Sequence, residues 1–150
     1  SAVKAQPAQF FMDPPADRRD QRRIRSSMAA LMDFVERFPD SPYVDQALAM
    51  LHESVTTVVS FEMEVARFYM TRDKPVGAAQ RLQRLLRDIP RATSFENVHL
   101  ALAEALIASS AFDEARVLCQ QYSDRFASGS RQEKMAHLCS EAQAHAPVVQ

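Results

Sequence analysis

The chain has 150 residues, enough for one domain with a substantial core. It contains two glycines, which disfavours hairpin-rich β folds and glycine-rich phosphate loops, because both need backbone at positive φ. A formal net charge of −1 supplies no general attraction to nucleic acid or to an anionic membrane, and no apolar run approaches the ~20 residues that span a bilayer.

Residues 1–16, SAVKAQPAQFFMDPPA, have three prolines and no helical period, so they read as an extended lead-in whose Phe10, Phe11 and Met12 pack under the first helix. That helix is predicted from about Asp17 to Phe38, with Ile24, Met28, Leu31, Phe34, Val35 and Phe38 recurring at three- and four-residue steps. Pro39-Asp40-Ser41-Pro42 ends it. Tyr43 to Arg72 has neither proline nor glycine, and Val44, Leu48, Leu51, Val55, Val59, Met63, Ala66 and Met70 form one stripe. A single helix about 45 Å long follows, at about 1.5 Å per residue. The β-branched run Val55-Thr56-Thr57-Val58-Val59 opposes it locally and marks residues 56–60 as the place for a bend.

Pro75 opens the next helix, where its missing N–H costs nothing, and Ala78, Leu82, Leu85 and Ile89 form its buried face before Pro90. Thr93-Ser94-Phe95-Glu96 reads as a capping box for a helix carrying Val98, Ala101, Leu102, Ala105 and Leu106. Ser110-Ala111-Phe112-Asp113 starts a helix reaching about Phe126. Ser130-Arg131-Gln132-Glu133 caps a terminal helix that ends before Pro147. No β segment survives this reading.

The spacing repeats. Ala66, Tyr69, Ala78, Leu82, Leu85 and Pro90 match the tetratricopeptide pattern, in which small residues sit where two antiparallel helices cross and a proline stops the second. Ala103, Leu106, Ala115, Cys119 and Tyr122 recur thirty-seven residues on, and Ser27, Leu31, Phe34 and Pro39 supply an earlier second helix. The expected fold is an all-α, tetratricopeptide-like right-handed solenoid of about six helices. Its helical-repeat domain covers residues 17–146, with residues 147–150 as a tail.

Three stretches, FFMDPPADRRDQ, FVERFPDSPYVDQAL and EVARFYMTRDKPVGAAQRLQRLLRDIP, resemble the carboxy-terminal part of the BamD (ComL-type) lipoproteins of the outer-membrane β-barrel assembly machinery. The resemblance runs from about Phe10 to Phe126 and weakens beyond. It implies a non-enzymatic scaffold on the periplasmic side of the bacterial outer membrane. Such a scaffold docks on a POTRA domain of the barrel-forming subunit and meets other assembly lipoproteins. It touches the membrane only through a lipid anchor, which is absent from this chain. The docking helix corresponds to Pro75–Ile89, and Arg81 falls at a position where the family has an arginine used in the POTRA contact. The family's first repeats are also absent, so this chain is expected to be the carboxy-terminal piece of a longer protein. The family's glycine-containing turn is replaced here by Arg72-Asp73-Lys74-Pro75.

Read without that resemblance, the chemistry is sparse. His52, His99, His137 and His145 are scattered and no hydrolase motif occurs, so no catalytic residue, cofactor or metal ligand is assigned. His52 and His99 read as polar-face residues. His137 and Cys139 lie two apart on a helix and diverge, which opposes a metal site with His145 and Cys119. Arg18, Arg19, Arg22, Arg23 and Arg25, interspersed with aspartates, read as a solvated face. Gln80, Arg81, Gln83, Arg84 and Arg87 line the polar face of the Pro75 helix; of these, Gln80, Arg81, Arg84 and Arg87 are the candidate partner-binding residues, since arginine is enriched at interfaces. The alternative is an adaptor of the generic repeat type that binds a peptide or protein in its concave groove.

Cys119 and Cys139 come opposite each other if the last two helices form a hairpin at Ser128-Gly129. Such thiols either approach the ~5.5–6 Å Cα separation of a disulfide, which a periplasmic home permits, or pack as two small buried hydrophobes.

Overall fold

The computed structural model describes residues 15–148, and side chains from residue 20 onward. Six α-helices appear in it: α1 (Pro15–Arg37), α2 (Val44–Thr71), α3 (Pro75–Asp88), α4 (Glu96–Ala108), α5 (Phe112–Arg125) and α6 (Gln132–Ala144). A 3₁₀ turn, Pro90–Ser94, links α3 to α4. Among the described residues there is no strand, and the fold is the expected all-helical, tetratricopeptide-like repeat. Phe10, Phe11 and Met12 lie outside the described residues, as do the side chains of Arg18 and Arg19. The chain forms two compact units, divided within α2 between Phe61 and Glu62.

In the first unit, α1 begins two residues earlier than expected, with a proline at its first position. Among its described side chains Met28 is buried, while Arg22 and Arg23 are exposed and Arg25 is half-buried. The break after α1 is closed by the N–H of Ser41 on the Phe38 carbonyl (3.0 Å) and the N–H of Tyr43 on Ser41 Oγ (3.2 Å). In α2, Ala47, Leu51, Val55, Val58 and Val59 are buried. The helix does not break at residues 56–60. Thr56 and Thr57 turn their hydroxyls back onto the His52 and Glu53 carbonyls (2.9 and 3.1 Å). The three valines beside them gain more from burial than they lose in helix propensity.

In the second unit, α4 packs against α3, α5 and α6. It is correspondingly apolar nearly all round, burying Val98, Leu100, Leu102, Ala103, Ala105 and Leu106. Ala78 and Ala115, the predicted crossing positions, are both fully buried. The turn after α2 is a six-to-one cap: Lys74 N–H reaches the Tyr69 carbonyl (2.9 Å), Asp73 N–H reaches that of Met70 (3.1 Å), and Asp73 has φ 57°. The turn after α4 repeats it with Ala111 on Leu106 (2.8 Å), Ser110 on Ile107 (3.0 Å) and Ser110 at φ 60°. The 37-residue repeat therefore extends to the backbone.

The predicted capping boxes do not form. No side chain caps α4, α5 or α6. Thr93 and Ser94 instead donate backward to the Pro90 and Arg91 carbonyls (2.6 and 3.0 Å), which winds them into the 3₁₀ turn. Glu96, expected to reach back to its own helix start, accepts bonds from Tyr122 Oη (2.6 Å), the Arg131 N–H (2.7 Å) and Ser130 Oγ (3.4 Å). One carboxylate thus ties the start of α4 to the end of α5 and to the α5–α6 loop. Gly129 borders it so closely that a Cβ there would overlap the Glu96 carboxylate.

Candidate partner-binding site

Gln80, Arg84 and Arg87 follow steps of four and three along α3, which places them on one side of the helix, and all three are exposed. Val76, one turn earlier, is 56% exposed and continues the same side. The opposite side carries buried Ala78, Ala79, Leu82 and Leu85, so the core sets which way the polar stripe faces. The Arg87–Asp88 pair (3.1 Å) is exposed and contributes little to stability.

Arg81 is placed differently. It lies at the border between stripe and core, its side chain 24% exposed, and its Nε donates to Glu62 Oε2 at 2.5 Å. Glu62 comes from α2 and is buried, its side chain 7% exposed. A buried carboxylate is costly unless paired and hydrogen-bonded, so this contact anchors α3 to the end of α2 as well as fixing the arginine. Gly77, one turn before Arg81, keeps the approach close: a Cβ there would lie 3.2 Å from Tyr69 Cδ1. Gln83 also leaves the solvated set, donating from Nε2 to Glu114 Oε2 of α5 at 2.6 Å.

Sequence reading missed Glu62. Its partner is nineteen residues away across a turn, and no local spacing announces such a pair. The one available signal was an acid flanking the apolar stripe between Val59 and Met63.

His99 is buried rather than on a polar face. Its Nε2 donates to the Thr93 carbonyl (2.9 Å), its ring meets Phe126 edge-on at 5.1 Å, and Nδ1 is buried with no hydrogen-bond partner among the described residues. Burial holds its pKa below the ordinary value, and nearby Arg125 acts in the same direction, against the Thr93 bond. The Tyr122 hydrogen bond, with help from the Arg131 N–H, holds Glu96 below the ordinary carboxylate value, while burial and Glu96 push Tyr122 up to about 12. Both groups brace the fold.

Cys119 of α5 and Cys139 of α6 form a disulfide, with Cα atoms 5.8 Å apart. The same helix pair is held by Arg116 Nη1 donating to the Ala142 carbonyl (2.9 Å) and by Phe112 stacked on His145 at 3.8 Å. Among the described residues no helix is long and apolar enough to cross a membrane, and no group of three His, Cys, Asp or Glu side chains is arranged to hold a metal.

Comparison with known proteins gives a consistent result. The sequence is 37% identical over 68 residues to the outer membrane protein assembly factor BamD of Neisseria meningitidis serogroup A, covering 45% of this chain and 26% of that protein. It is 32% identical over 72 residues to the BamD of Pasteurella multocida, covering 48% of this chain and 28% of the relative. For the BamD of Vibrio cholerae the figures are 25% over 72 residues, 48% and 30%. The matched stretch thus spans under a third of each relative. The YfiO family, described as outer membrane lipoprotein, matches residues 2–108, and the chain belongs to that family.

Proposed function

We propose that this chain is a non-enzymatic scaffold segment of the outer-membrane β-barrel assembly machinery, at the periplasmic face of that membrane, and that α3 docks on a POTRA domain of the barrel-forming subunit. The observation that carries this reading is the exposed stripe of Gln80, Arg84 and Arg87, with Arg81 at its edge, on a helix whose other side is locked into the core. Its relatives are named as assembly factors for outer membrane proteins. The stripe suits a partner surface bearing carboxylates, since arginine presents a planar fork that matches them. The mechanism is rigid placement: stacked helical repeats hold the docking face at a set orientation, and no group in the site needs to change protonation or covalent state.

Site-specific photocrosslinking tests the location. A photoreactive residue replacing Gln80 should crosslink to a cognate POTRA domain, and one replacing Gln121 on α5 should not. Crosslinking through Gln121 alone would place the contact elsewhere.

A further inference from the structure

We infer that Tyr69, near the end of α2, is a further partner-contact residue of the docking face: its ring is fixed against Gly77 of α3, and its hydroxyl donates a hydrogen bond to a carboxylate on the partner surface. This inference rests on the proposed docking role of α3.

A Cβ built on Gly77 would lie 3.2 Å from Tyr69 Cδ1 and 3.5 Å from Cε1 and Cγ, so one edge of the ring runs along the side of α3 that Gly77 occupies. Phe68 meets the same ring edge-on at 5.8 Å. Arg81 and Arg84 follow Gly77 by steps of four and three, which puts the ring at the head of a row that ends in an exposed arginine of the stripe. Tyr69 is half-buried, and its hydroxyl reaches solvent with no hydrogen-bond partner among the described residues. The next repeat shows that the fold does not need this hydroxyl. Thirty-seven residues on, Leu106 holds the same place: its carbonyl takes the cap bond from Ala111 (2.8 Å) that the Tyr69 carbonyl takes from Lys74 (2.9 Å). Leu106 is buried, so an apolar side chain with no polar tip satisfies the packing there. Tyr122 is the contrasting case, a tyrosine whose hydroxyl is engaged inside the fold by Glu96 (2.6 Å). Tyr69 therefore combines a ring ordered by the core with a polar group that the core leaves unused. Such a side chain gives a partner contact area and one directed bond with little further loss of rotamer freedom, the property that makes tyrosine prominent at interfaces. A partner surface whose carboxylates meet the stripe has the acceptor oxygens that a phenol beside it can reach.

Calorimetry with a cognate POTRA domain tests this on wild type, Tyr69→Phe and the Arg84→Glu, Arg87→Glu double variant, with the melting midpoint of each measured alongside. Tyr69→Phe removes one oxygen and keeps the ring and its contact with Gly77. We expect it to melt with wild type and to bind about tenfold more weakly, the loss expected for a hydrogen bond to a charged group. Wild-type affinity in Tyr69→Phe, beside weakened binding by the arginine double variant, would overturn the inference and leave the docking reading intact. Wild-type affinity in both variants would overturn the docking reading, and the inference with it. A clearly lower melting midpoint in Tyr69→Phe would assign the hydroxyl to the fold and overturn the contact role, whatever the affinity.

Discussion

Asp73 and Ser110, thirty-seven residues apart, occupy the same left-handed backbone position in the same six-to-one helix cap, at φ 57° and 60°. Glycine is the usual residue there, because a Cβ crowds the neighbouring carbonyl. Replacing either by glycine should therefore stabilise the fold by about 0.5–1 kcal/mol, and replacing either by valine should destabilise it by more. Chemical denaturation of the four single variants checks this; a glycine variant less stable than its parent would contradict it.

Ala78 and Ala115 are the other pair in register, both fully buried at helix crossings. Leucine at either position should overpack the crossing and cost about 1–3 kcal/mol, whereas Val76→Ala on the exposed stripe should stay within about 0.5 kcal/mol. A melting midpoint unchanged in Ala78→Leu would mean that the repeat phase is misassigned.

Acid should weaken the fold in two stages with separate causes. His99 has a pKa below 6.5 in the folded chain, so the unfolded chain takes up the proton first. Its contribution is complete above pH 6.5, declines as pH falls from there to the folded pKa, and then levels. Glu96 is also depressed, so its contribution is present above pH 4.5 and lost as pH falls through its folded value. The melting midpoint of His99→Gln should lose the upper stage alone, and that of Glu96→Gln the lower stage alone. A wild-type profile flat through pH 6.5 would contradict the buried, neutral imidazole.

The Cys119–Cys139 bridge closes a loop with a sequence separation of 20. Replacing both cysteines by serine should cost about 3 kcal/mol, the value expected for loops of that length. Thiol titration of unfolded, unreduced protein should find no free thiol. Two per chain would rule the bridge out.

Much of the helical layout was legible in the primary structure, because it depends on long stripes. The run from Val44 to Met70 outweighed the β-branched Val55–Val59 segment, and α2 is continuous there. Prolines 39, 42 and 90 marked stops and Pro75 a start for a local reason, their missing N–H and fixed φ. What failed was short-range polar chemistry. The hydroxyls of Thr93 and Ser94 had two local choices, forward as caps or backward onto carbonyls, and the tight link into α4 selected the second. His99 looked polar by type, yet it sits on a helix surrounded by three others. The candidate site divided in the same way. Gln80, Arg84 and Arg87 follow from the helical period, whereas the Glu62–Arg81 pair and the Glu96–Tyr122 bond depend on which helices pack together. The cysteines stayed open between bridge and buried thiols, because Cα separation is set by helix distance, which spacing alone does not supply.

One practical consequence concerns Arg81. Charge reversal at that position would set a second carboxylate against buried Glu62 and damage the fold along with any binding. The exposed arginines avoid this ambiguity. The most direct test of the account is the affinity of a cognate POTRA domain for the Arg84→Glu, Arg87→Glu double variant, measured beside wild type by calorimetry, with circular dichroism to verify the fold. The account predicts unchanged helicity and an affinity lower by about tenfold or more, with the wild-type affinity itself falling as salt is raised. Equal affinity for a folded double variant and wild type would contradict it.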